Sequence, residues 1–131
     1  MRGVYPGSFD PPTIAHVAIA EAAVRAGKLE HLDLAISRVT LGKDAADQAP
    51  VDIRRAFVEQ LAASRPWLHV VVTDAQLITE IAAGYDVVVM GADKWAQVCD
   101  PAWYGGSAAD RQTRIGIFPD HIDLPGNLRF V

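Results

Sequence analysis

The residues Gly7-Ser8-Phe9-Asp10-Pro11-Pro12-Thr13-Ile14-Ala15-His16 decide how this chain is read. They follow a short stretch, residues 2–5, that suits a strand. Pro6-Gly7 ends it in a turn through which the backbone can come close to a ligand. Asp10 is placed to cap a helix, and Pro11 or Pro12 fits the first helical turn, where no N–H bond is lost. A helix starting here offers free N–H groups and the positive end of its dipole, which together favour an anion. Thr13 and His16 stand three apart, so a hydroxyl and an imidazole project from one face towards the same phosphate. Spacing alone fits equally well two ordinary polar residues at a helix start.

Outward from this segment the chain alternates helix and strand. Residues 12–26 are rich in Ala, with Ile14, Val17, Ile19 and Val24 interspersed and Gly27 where a C-terminal cap belongs. The spacing predicts a helix that is apolar most of the way round, hence largely buried. Residues 31–36 suit a second strand, and residues 37–50 form a polar loop of a length that is often functional. In residues 51–64, Ile53, Phe57 and Leu61 recur at spacings of four, with Asp52, Arg54, Arg55, Glu59 and Gln60 off that stripe. This predicts an amphipathic helix whose arginines are solvated or locally paired.

Residues 68–72 read as a third strand, followed by a helix capped by Thr73 or Asp74 and running to residue 83. Leu77, Ile78 and Ile81 face inward, and Gly84 ends it. Residues 86–90 are a continuous apolar run, as expected of a strand buried on both faces. Gly91-Ala92-Asp93 follows directly. A helix within 94–99, an irregular stretch 101–109, a fifth strand 113–118 and another beginning in 128–131 complete the reading. The order predicts an α/β fold: a single Rossmann-like domain over residues 1–131 with a doubly wound parallel sheet. Ligands bind such sheets beyond the C-terminal strand edges. The quoted segment and Gly91-Ala92-Asp93 both lie there.

The chain has 131 residues, half of them hydrophobic and 21% charged, which suits one soluble globular domain. The formal charge is −4, and no run of Lys or Arg exceeds the pair Arg54-Arg55, which argues against a nucleic-acid partner. No apolar run approaches a membrane span, and the N-terminal residues lack a secretory signal, so no membrane partner and a cytoplasmic location are expected. The single cysteine, Cys99, supplies neither an internal disulfide nor a metal cluster and reads as a small hydrophobe. His31, His69 and His121 have no partner spacing and read as structural; a homo-oligomer is compatible with all of this.

The quoted segment lacks the glycine-rich signature of a P-loop or dinucleotide fold. It resembles instead the first signature of the nucleotidyltransferase superfamily, (His/Thr)-x-Gly-His after a Gly-x-Phe-Asp-Pro lead-in. Here the lead-in is Gly7-Ser8-Phe9-Asp10-Pro11 and the signature Thr13-Ile14-Ala15-His16, with Ala15 departing from the usual Gly. The resemblance is strongest to the adenylyltransferases of nicotinate mononucleotide and phosphopantetheine. It implies that Gly7, Ser8 and Phe9 line the phosphates, that His16 stabilises charge on the α- or β-phosphate, and that Thr13 assists. It places a substrate-binding lysine at Lys43 and a nucleotide pocket at Gly91, Ala92 and Asp93. Trp95, Trp103 and Tyr104 follow closely; stacking on a nicotinate or adenine ring and packing in the core fit each of them equally, and Trp103 is the candidate for substrate stacking.

The implied reaction moves AMP from ATP to a phosphorylated small molecule and releases pyrophosphate. Mg²⁺ accompanies the triphosphate, and the protein provides no metal site of its own. Nicotinate mononucleotide is favoured over phosphopantetheine, because Gly91-Ala92-Asp93 matches the nicotinate enzymes. A cytidylyltransferase and a catalytically silent nucleotide-binding module are the rivals. The superfamily's second signature, an Ile-Ser-Ser/Thr-Thr-x-x-Arg segment, is not found before Val131. The expectation is a chain truncated ahead of that triphosphate-binding segment, rather than a divergent member with weakened catalysis.

Overall fold

Strand β1 (Arg2–Gly7) lies at the centre of a parallel sheet, between β2 (His31–Ser37) and β4 (Val87–Met90). Strand β3 (Leu68–Thr73) pairs with β2 and β5 (Leu128–Phe130) with β4, giving the order β3-β2-β1-β4-β5. The structure is a computed structural model that describes residues 1–38, 47–75, 78–91, 94 and 128–130. The expected strand 113–118, the irregular stretch 101–109 and the expected helix 94–99, apart from Lys94, lie outside these residues.

Side chains alternate across the strands, and the apolar runs fill both faces. Tyr5, Leu32, Leu34, Ile36, Leu68, Val87 and Val89 pack on one face beneath α1 (Ile14–Gly27) and α2 (Val51–Ala62). Val4, Ala35, Val88 and Met90 form the other, against α3 (Ile78–Ile81). The connections reverse direction between β1 and β4, one chain segment going towards β2 and the other arriving from α3. That reversal is the topological switch point, and the crevice beyond it is where such sheets hold ligands.

The helices differ in detail from the sequence expectation. Helix α1 begins two residues later than predicted, with Thr13 rather than Asp10 as N-cap. It ends with Gly27 still helical and Lys28 in the left-handed region at φ 51°. It is not buried all round: Ile14 is 89% exposed, and the deeply buried residues are the small Ala20 and Ala23. Alanines at those positions let the helix axis approach the sheet closely.

On α2 the inward face is rotated away from the predicted stripe. Ile53 and Phe57 are half exposed, whereas Arg54 and Val58 are buried and Val51 and Ala62 pack against the core. Positions 51, 54, 58 and 62 are as periodic as 53, 57 and 61, but a charged residue among them hides the pattern. Helix α3 stops at Ile81, short of the expected end at residue 83, and Leu77 lies outside the described residues; the Thr73 hydroxyl accepts from the Ala75 amide before it. Gly84 does terminate this region, at φ 85°, where a side chain would be strained.

At the opposite edge of the sheet the buried Asp33 is fully engaged. It accepts from the Tyr85 hydroxyl, lies 2.7 Å from His31 Nε2 and is 3.8 Å from the Arg2 guanidinium. Burial first, and then the bond to Asp33, push the Tyr85 hydroxyl up to about 12. No helix among the described residues is long and apolar enough to cross a membrane.

Candidate functional site

The chain leaves β1 at Gly7 and turns sharply. Phe9 adopts a left-handed conformation, φ 48°, and the whole residue is only 1% exposed. A left-handed residue with a Cβ costs about 1–2 kcal/mol, and burying a phenyl ring returns about 1.5–3 kcal/mol. The ring folds back under the loop, so a Cβ at Gly7 would lie 3.0 Å from Phe9 Cε2. A side chain at position 7 would therefore crowd the Phe9 ring. Buried to this degree, Phe9 shapes the loop, and its ring does not line a ligand surface.

The buried ring also supports His16. Phe9 and His16 meet edge to face with centroids 5.0 Å apart, and Tyr5 stands 6.1 Å from the same imidazole. Thr13 and His16 do share a face, as their spacing predicted, and they touch one another. The His16 amide donates to Thr13 Oγ1 at 3.4 Å, and the Thr13 amide donates to His16 Nδ1 at 2.9 Å. This is a reciprocal capping box with histidine in the place usually taken by Glu or Gln. Thr13 Oγ1 also lies 3.2 Å from Nδ1.

That geometry assigns the tautomer. Nδ1 accepts a backbone N–H, so it carries no proton, and in the neutral ring the proton sits on Nε2. Burial holds the His16 pKa below the usual imidazole value. The residue is thus a neutral ring with one N–H donor available, held at the first turn of α1, where the amides of Ile14 and Ala15 have no intrahelical acceptor. Two or more such donors converging at a helix start suit an anion with several oxygens.

Asp10, expected as the cap, does something else: Asp10 Oδ2 accepts from the Ala49 amide at 3.0 Å, just before α2. Arg54, expected to be solvated or locally paired, is 2% exposed. Its guanidinium donates to the carbonyls of Ser8 (3.0 Å), Ser37 (2.9 Å), Arg38 (3.1 Å) and Ala49 (2.9 Å). Sequence reasoning missed this residue. The one available signal was its place between Val51 and Val58 on a continuous helical face. Arg55, its neighbour, is exposed and pairs with Glu59 at 2.8 Å, as expected.

Gly91 follows β4 immediately across the switch point. A Cβ there would come 3.3 Å from Ile19 Cδ1 of α1, so glycine lets the helix pack onto the strand end. Lys43, Ala92, Asp93, Trp95, Trp103 and Tyr104 lie outside the described residues. Among the described residues no group of three His, Cys, Asp or Glu side chains could hold a metal ion.

Residues 4–115 match the family model described as Cytidylyltransferase-like. A protein of Brucella abortus (strain 2308) named a probable nicotinate-nucleotide adenylyltransferase is 31% identical, over 72% of this chain and 54% of its own length. A protein of the same name from Brucella melitensis biotype 1 matches to the same degree. The chain spans about half the length of these curated relatives. The switch-point sheet, the Thr13–His16 capping box and a family match over most of the sequence agree: the chain belongs to the cytidylyltransferase-like family, within the nucleotidyltransferase superfamily.

Proposed function

We propose that the protein is a nucleotidyltransferase that moves AMP from ATP to a phosphate-bearing small molecule, nicotinate mononucleotide in the first place. The observation that carries this reading is the oriented, neutral His16 at the start of α1, near the topological switch point between β1 and β4. An oxygen of the acceptor phosphate attacks the α-phosphorus of ATP in line. The new P–O bond forms as the bond to the bridging oxygen of the β-phosphate breaks, and pyrophosphate leaves with the electron pair. His16 Nε2–H donates to phosphate oxygens as their charge grows, and the first-turn amides of α1 add to that stabilisation. No proton need pass through His16, and no covalent enzyme intermediate is required.

Mg²⁺ is proposed to enter as the partner of the triphosphate, bound mainly through its phosphate oxygens. The choice of acceptor rests on the Gly91-Ala92-Asp93 segment and on the names of the similar Brucella proteins. Lys43 is proposed as a contact to the acceptor, and Trp103 as a ring against which it stacks. A second reading, a nucleotide-binding module of weak activity, is favoured by Ala15, whose methyl stands where the superfamily has Gly.

A screen of pyrophosphate release, crossing ATP and CTP with nicotinate mononucleotide and phosphopantetheine, tests these readings. The expected result is turnover with ATP and nicotinate mononucleotide above every other pair. Nucleotide binding without turnover for any pair would select the second reading.

A further inference from the structure

Arg54 is an expensive residue to bury: a charged group taken out of water must recover its solvation from the protein. Among the described residues it meets no carboxylate and is satisfied by carbonyl oxygens alone. Those carbonyls come from separate places in the chain, 46, 17, 16 and 5 residues away from it. Ser8 lies in the loop between β1 and α1. Ser37 ends β2 and Arg38 follows it, and Ala49 leads into α2. The last two groups bracket the segment that contains Lys43. Asp10 adds a second tie, because its carboxylate accepts the amide of the same Ala49 whose carbonyl accepts from Arg54.

Three strand and helix ends are thereby joined at one guanidinium, at the C-terminal edge of the sheet. An apolar side chain beside Val58 would fill the space at lower cost but could not fix these loops. We propose that Arg54 is a positioning residue for phosphate recognition: its fork, with the Asp10 tie, holds the Ser8–His16 loop against both ends of the segment between β2 and α2. This rests on the reading of that loop as the phosphate site. Arg is needed rather than Lys, because a planar fork reaches diverging carbonyls that a single ammonium cannot.

The test uses the intact chain and Mg-ATP, with calorimetric affinity, melting temperature and amide hydrogen exchange measured for each variant. Arg54→Lys keeps the charge and loses the fork. It is expected to weaken ATP binding about tenfold, at a temperature where circular dichroism shows it fully folded, and to speed exchange in residues 8–13 and 47–50 more than in β1. Arg54→Gln should weaken binding at least as much, and Arg55→Gln should change nothing. A merely structural Arg54 would lower the melting temperature while the folded protein bound ATP normally, and that result would overturn the proposal. So would affinity kept by Arg54→Lys but lost by Arg54→Gln, which would assign the effect to charge.

If Arg54→Lys does not fold, Asp10→Asn and Asp10→Ala decide the matter, since they carry equal charge and only Asn keeps an acceptor for the Ala49 amide. Asp10→Ala is expected to bind ATP at least threefold more weakly than Asp10→Asn; equal affinities would overturn the proposal. If the wild type binds no ATP, the functional reading fails, and unchanged exchange in residues 8–13 would then separately sink the positioning role.

Discussion

At the scale of single residues, the most informative one is His16, because a backbone amide fixes which of its nitrogens holds the proton. Nitrogen-15 NMR of the ring is expected to show the Nε2–H tautomer at neutral pH, titrating below the ordinary imidazole value. The sign of its effect on stability follows. A histidine whose folded pKa is lowered stabilises the fold fully above its unfolded pKa, and the contribution is lost as pH falls below about 6.5. The wild type should therefore lose more unfolding free energy between pH 7.5 and 5.5 than His16→Gln, measured by urea titration. Gln at this position can retain the capping bond to Thr13, whereas His16→Ala should cost about 1 kcal/mol of stability. An equal pH slope in wild type and His16→Gln would contradict the assigned environment. Ala15, exposed in the first turn, is expected to tolerate Gly with ATP affinity unchanged or tighter by calorimetry, and clear weakening would mean that its methyl makes a useful contact.

At the scale of elements, α2 separates what periodicity can and cannot reveal. Its apolar residues supply two overlapping stripes, and the sequence reading chose Ile53, Phe57 and Leu61. The buried stripe runs instead through Val51, Arg54 and Val58, because carbonyls at the ends of neighbouring loops need the donors of Arg54. Val58→Ala is thus expected to destabilise by about 1.5–3 kcal/mol, and Phe57→Ser, on the half-exposed side, by well under about 1 kcal/mol. Equal losses in a denaturation series would return the inward face to the other stripe. The strands were far more legible. Residues 31–36, 68–72 and 86–90 lie within about a residue of β2, β3 and β4, because short, mainly apolar segments bounded by turn residues have few other solutions. The helix starts were less so: Asp10 and Thr13 are both good caps by type, and only the bond that Asp10 makes to Ala49, 39 residues away, decides between them.

At the scale of the whole molecule, the fold gathers distant segments at one crevice. Strand order places the end of β1 beside that of β4, and Ile19 of α1 seals the junction against Gly91. Gly91→Val should push α1 away from β4 and lower ATP affinity by calorimetry, with β2 and β3 retaining their hydrogen-exchange protection. The Thr13–His16 part of the site was readable because its residues are local. Arg54 was not, because its partners are assembled only by the tertiary fold. The proposed function requires that His16 stabilise charge on the transferring phosphates. Steady-state pyrophosphate release with ATP and nicotinate mononucleotide, compared between wild type and His16→Ala, tests it most directly. The expected loss of turnover is on the order of 10²-fold or more, the scale of removing one transition-state donor, with ATP affinity changed far less. Near-normal turnover by the folded variant would contradict it.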